Sequence, residues 1–142
     1  MARLRNTVLI DAAPDAVWDV LGNLAATPEW LPGTRAARMD GDIRTCTTTD
    51  GFDIRERISD YSPERHTYSF RHLAIPMPIE DSSGSFVVKP NGTGSQVVLE
   101  TSFAALDSAQ EERVSAMMDG ALKQALASLK RRVERGVRWD AG

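Results

Sequence analysis

Hydrophobic and polar positions along the chain change their period twice. Residues 3–10 alternate, with Leu4, Val8 and Ile10 on one face, as a half-buried strand does. Pro14 then suits a first helical position, where its missing N–H is no loss, and Ala16, Val17, Val20 and Leu21 make a short apolar stripe that stops at Gly22. Asn23 to Leu31 predicts a second short helical turn, broken by Pro28 and closed by Pro32-Gly33. Strands are predicted at about 35–40, 43–49, 52–60, 65–73, 79–89 and 95–104. Asp40-Gly41, Asp50-Gly51 and Asn91-Gly92 are hairpin-type turn dipeptides between them, and Ser62-Pro63 opens a further turn. From Ser108 the period returns to that of a helix. Val114, Met117, Met118, Ala121, Leu122, Ala125, Leu126, Leu129 and Val133 recur at helical spacing, with a capping box expected at Ser108-Ala109-Gln110-Glu111 and a stop at Gly136.

This order predicts an α+β domain. A curved antiparallel sheet of about seven strands wraps a long C-terminal helix, and two short helices follow the first strand. Such a sheet and helix can enclose a cavity, and the function is expected inside it. The 142 residues fit one domain, with no repeats and no linker.

Composition then narrows the classes. A net charge of -3 argues against nucleic acid, which needs a concentrated basic patch. The one candidate, Lys130-Arg131-Arg132 with Arg135 and Arg138, also reads as a solvated helix end that complements the dipole. No apolar run approaches the roughly 18 residues of a membrane span. The N-terminus lacks a signal-peptide apolar stretch, so a cytoplasmic protein is expected. A single cysteine, Cys46, excludes an internal disulfide, and two histidines exclude a three-histidine metal site. No phosphate-binding loop or nucleophile motif occurs, and no metal or other cofactor is implied. The chain is expected as a monomer or a homodimer, with a sheet edge or Trp139 as possible contacts.

Strand parity selects the candidate chemistry, because residues two apart share a face. Ile54, Glu56 and Ile58 place Glu56 inward, where a carboxylate is held neutral or paired. It is either a general acid or base or a structural partner of a buried arginine such as Arg44. Tyr68, Phe70 and His72 form a second inward row, a cavity wall with one titratable group. His72 is either catalytic or a hydrogen-bonded rim residue, while His66, near a turn, is expected at the surface. Ser82, Gly84, Phe86 and Val88 make a third row with unusually small members. These either open room for a ligand or mark a bulge. Trp30 either caps the cavity or plugs the core, and Met117 with Met118 either roof the cavity or simply pack the helix.

The run Ile10-Asp11-Ala12-Ala13-Pro14-(x)2-Val17-Trp18, followed by Pro28-Glu29-Trp30-Leu31-Pro32-Gly33, resembles the polyketide cyclase/dehydrase branch of the START-like helix-grip (SRPBCC) superfamily. Arg44-Thr45, Asp50-Gly51, Ile54-Arg55-Glu56-Arg57-Ile58, Tyr68-Ser69-Phe70, Pro76-(x)-Pro78-Ile79 and Gly94-Ser95-Gln96-Val97 agree with it. The likeness covers about residues 4–134. It implies the helix-grip fold and an internal site for a small hydrophobic ligand, lipid-like or aromatic and polyketide-like. It also implies that Arg44, Cys46 and Thr48 face inward. Catalysis of the cyclase or dehydratase type would fall to His72 and Glu56, with Arg44 or Tyr68 polarising a carbonyl. Trp30, Arg44, Cys46, Tyr68, Phe70, Ser82, Phe86, Met117 and Met118 would line the ligand site, Cys46 as an inert buried thiol. The alternative is a protein-interaction module without a small-molecule ligand.

Overall fold

A computed structural model describes residues 1–139. Strand β1 (Ala2–Ile10) leads into helix α1 (Pro14–Leu21) and a 3-10 helix (Leu24–Glu29). Five strands follow: β2 (Thr34–Asp40), β3 (Ile43–Thr48), β4 (Asp53–Ser62), β5 (Thr67–Ala74) and β6 (Ile79–Asn91). Then come β7 (Gly94–Ala105), a 3-10 turn (Ser108–Gln110) and helix α2 (Glu111–Arg135). The strands form one antiparallel sheet in the order β1-β7-β6-β5-β4-β3-β2. The predicted helix-grip α+β fold is present, and strand boundaries agree with the turn dipeptides to within about two residues.

Local chemistry explains the punctuation. Asp40 pairs with Ile43 and Asn91 with Gly94, leaving two-residue turns in which Gly41 and Gly92 take positive φ (62° and 59°). A side chain with a Cβ resists that region, so the Asp-Gly and Asn-Gly dipeptides fix these hairpins. Pro14 occupies the first turn of α1, and Gly136 ends α2 in the left-handed conformation with its N–H on the Arg132 carbonyl.

One cap differs from expectation. Ser108 does not cap the long helix; Asp107 accepts from the Ala109 N–H and opens the short 3-10 turn, and α2 begins only at Glu111. Asp is an equally good cap, and the chain uses the carboxylate one residue earlier.

α2 lies across the inner face of the sheet and buries Val114, Met118, Ala125, Leu126, Ser128 and Leu129. Two apolar clusters result. The larger joins α1, Trp30, the middle strands and the C-terminal half of α2, with Tyr68, Phe70 and Phe86 at its centre. The smaller gathers Ile79, Phe103, Val114 and Met118 near the start of α2. Asp53, Arg55, Arg57 and Ser59 are exposed on the opposite face, as parity requires. No helix among the described residues is long and apolar enough to cross a membrane.

The basic C-terminal segment is held within the chain. Lys130 donates to the Leu9 carbonyl and Glu134, and Arg132 reaches Glu29 and the Gly136 carbonyl. The Trp139 indole N–H donates to the Pro28 carbonyl, so this ring anchors the tail on its own 3-10 helix. His66 lies beside α1, its Nε2 2.7 Å from Asp15 Oδ1 and its side chain 20% exposed.

Candidate functional site

Register brings the candidate residues into one line across the inner face. Arg44 on β3 pairs with Glu56 on β4, and Glu56 pairs with His72 on β5. On β6 the line is continued by a bulge. The β6–β7 register shifts between Glu80 and Ser83, and Asp81 takes φ 51°. The extra residue turns both Ile79 and Ser82 inward, three positions apart, where a regular strand would separate them.

The result is a continuous buried polar chain. Arg44 Nε donates to Glu56 Oε1 at 3.1 Å, and its Nη1 donates to Thr27 Oγ1 at 3.1 Å and the Tyr68 hydroxyl at 3.5 Å. Glu56 Oε2 faces His72 Nε2 at 3.5 Å, and His72 Nδ1 lies 2.7 Å from Ser82 Oγ. Arg44, Glu56 and Ser82 are each 7% exposed or less, and Tyr68 is fully buried. Both readings of Glu56 therefore meet here: it pairs with Arg44, and it also abuts the histidine.

The electrostatics follow from that burial. Burial opposes the Arg44 charge, but the Tyr68 and Glu56 oxygens outweigh it and hold the guanidinium above its ordinary pKa. Burial pushes the His72 imidazole below its usual value. Glu56 works against that shift and Arg44 adds to it, so the ring is neutral near neutral pH and able to accept a proton. Burial raises the Tyr68 hydroxyl, with Arg44 opposing. Cys46, buried beside Arg44, is pushed up to about 11 by desolvation, which makes it a protonated, unreactive thiol.

The remaining candidates divide. Phe70, Phe86 and Tyr68 stack in the aromatic centre with ring centroids 5.3–6.5 Å apart. Trp30 is buried with its ring edge-on to Phe86. Met118 faces the sheet in the smaller cluster. Met117 does not roof the interior: it is 47% exposed and lines a surface groove of about 250 Å³ with Pro78, Leu106 and Val114. Helical spacing groups the two methionines, but consecutive residues stand 100° apart on a helix. The small residues of β6 serve two ends. Ser82 bonds His72, while the space beside Gly84 holds the Phe70 ring: a Cβ there would stand 2.5 Å from that ring.

Three features escaped strand parity. Thr27 joins the chain from a 3-10 helix, where no alternation points to it. Asn6 and Thr101 are buried on the inner face between the two apolar clusters. Thr101 Oγ1 makes no hydrogen bond; the Asn6 amide makes no well-formed one, although it helps hold the Asp119 carboxyl below its usual range, after Lys123. A cavity of about 510 Å³ forms a trough on the outer face, flanked by Arg3, Arg5 and Arg71 and floored by serines. The prominent cavities among the described residues are not lined by Arg44, Glu56, His72 or Ser82. Apolar side chains fill the space between α2 and the middle strands.

Residues 1–134 match the family model described as polyketide cyclase / dehydrase and lipid transport. The chain belongs to this family. Solved structures agree on the fold. XoxI from Bacillus cereus is 22% identical at a TM-score of 0.85, over 95% of this chain and 97% of its own. The ZhuI aromatase/cyclase from Streptomyces sp. R1128 is 19% identical at 0.80, over 99% and 98%. The di-domain aromatase/cyclase BexL from the BE-7585A biosynthetic pathway is 22% identical at 0.83, over 94% of this chain and 47% of its own. No curated protein matches. Family membership supplies a hydrophobic ligand-binding fold, and activity must be argued from the site.

Proposed function

We propose that the protein binds a small hydrophobic molecule, lipid-like or aromatic and polyketide-like, between α2 and the inner face of the sheet. In this reading it acts on the ligand by acid–base chemistry of the cyclase or dehydratase type. The observation that carries the proposal is the buried chain Arg44–Glu56–His72–Ser82. Burying an ion pair and an imidazole costs stability that an apolar core would not lose, so a purely structural role explains the chain poorly.

The division of labour follows from the geometry. The apolar body of the ligand would displace contacts among Phe70, Phe86, Met118 and the Trp30 region as α2 and the sheet part. Its carbonyl would meet the donors of Arg44 and Tyr68. Neutral His72 would take a proton from the carbon beside that carbonyl, with Glu56 stabilising the imidazolium, and return it to a departing hydroxyl. A positioned base of this kind contributes about 10²–10⁴-fold in rate, and exclusion of water strengthens each interaction. One free, unreactive cysteine fits a cytoplasmic setting.

An environment-sensitive naphthyl ketone dye tests binding directly. Its emission should move to the blue on titration and saturate at one dye per chain. Emission that stays at its value in water at every protein concentration contradicts the proposal.

A further inference from the structure

We propose that Ser82, His72 and Glu56 form a nucleophilic relay, and that the protein accepts an acyl group on Ser82 Oγ from hydrophobic esters or thioesters. The inference rests on the reading above only in that the acyl chain enters between α2 and the sheet.

Three features carry it. First, the order of contacts suits a relay. Glu56, paired with Arg44 through Oε1, turns Oε2 toward His72 Nε2 at 3.5 Å. The proposal places the ring proton on Nε2, on the side of this carboxylate, which is a hydrogen-bond acceptor. Nδ1 is then the acceptor, and the contact at 2.7 Å is the Ser82 O–H donating to it. A nucleophile hydrogen-bonded to a base, with the base oriented by a carboxylate, is the arrangement that activates a hydroxyl. Second, the base is neutral near neutral pH, because burial outweighs Glu56. Third, the backbone at Ser82 departs from the regular ladder. Asp81, just before it, takes φ 51°, and the ladder with β7 skips Asp81 and Ser82 between Glu80 and Ser83. Strained, non-glycine backbone directly before a nucleophile is a device for aiming it.

The step balances within the site. Ser82 Oγ attacks the carbonyl carbon, forming the new C–O bond as its proton passes to His72 Nδ1. The imidazolium keeps its Nε2–H toward Glu56. Collapse of the tetrahedral adduct breaks the bond to the leaving alcohol or thiol, which takes the proton from Nδ1. Water, deprotonated in turn by His72, then releases the acid and restores Ser82.

The test uses p-nitrophenyl butyrate on the full chain, with release of nitrophenol followed alongside intact mass and peptide mapping. The proposal expects a burst of one nitrophenol per chain, a butyryl adduct on Ser82, and at least a hundredfold slower acylation in Ser82→Ala and His72→Gln. Ser83→Ala, one residue along and facing the other way, should acylate at the wild-type rate. Ser82→Cys should recover an adduct at the same position, which guards against a misfolded alanine variant. Adducts confined to lysines or Cys46, undiminished release in Ser82→Ala, or no adduct in folded protein overturns the relay. The naphthyl ketone dye separates the two claims. Dye binding without acylation refutes the relay alone, and Ser82 acylation without dye binding upholds the relay and refutes the ligand reading.

Discussion

Replacing Arg44 by methionine should be among the most damaging single changes in this protein. Methionine keeps much of the bulk, so the cavity it leaves is small. What is lost is the guanidinium, with its bonds to Glu56 and Thr27 at 3.1 Å and to Tyr68 at 3.5 Å. Glu56, 7% exposed, would then be a buried carboxylate without its cation. Breaking a buried pair from one side costs about 3–5 kcal/mol, a large share of the ~5–15 kcal/mol that holds a domain together. Removing the second charge should relieve the damage: Arg44→Met with Glu56→Leu should cost at least about 2 kcal/mol less than the sum of the single changes. Urea unfolding followed by the fluorescence of buried Trp18 and Trp30 measures this, provided the slope of stability against urea is unchanged. A loss under about 1 kcal/mol for Arg44→Met, or strict additivity in the double variant, would refute the claim that these charges form one buried unit.

Three further outcomes are expected. His72 is held below its ordinary pKa in the folded protein, so the unfolded chain takes up the proton first. The stability tied to His72 is complete above that ordinary value and is lost as pH falls through the folded one, at up to about 1.4 kcal/mol per pH unit; His72→Gln should flatten this part of a stability–pH profile. Gly84→Ala would set a Cβ 2.5 Å from the Phe70 ring and 2.8 Å from the Glu100 carbonyl oxygen. Because the second contact is backbone and cannot step aside, thermal unfolding should show a loss of about 1–3 kcal/mol. Asp107→Ala should cost about 0.5–2 kcal/mol by the same assay, whereas Ser108→Ala should cost close to nothing, because Asp107 caps the turn.

Legibility in the sequence followed locality. Alternation along β4 and β5 located Glu56 and His72 on one face, and turn dipeptides fixed the hairpins that set their register, so the Glu56–His72 pairing was within reach of parity. Arg44 was reachable as the partner of Glu56, because a buried carboxylate calls for a cation. Ser82 lay beyond this logic in part. Its inward direction was foreseen and the small residues admitted a bulge as one of two readings, but alternation does not encode that the bulge falls at Asp81 and delivers Ser82 to His72. Gly84 was ambiguous for a related reason: a missing side chain leaves room, and only packing shows that Phe70 fills it. Thr27 was invisible because a 3-10 segment carries no two-residue period. Met117 and Met118 share a helical stripe in sequence, and only the angle at which α2 crosses the sheet separates the exposed one from the buried one.

The most direct test of the central claim is a methyl-resolved nuclear magnetic resonance titration with the naphthyl ketone dye. Saturating shifts are expected at Met118, Leu126 and Ile58, together with a change at the His72 ring, while Met117 and the outer face stay fixed. Shifts confined to Met117, Leu106 and the outer trough, with His72 and Leu126 unmoved, would place the ligand on the surface and contradict the account.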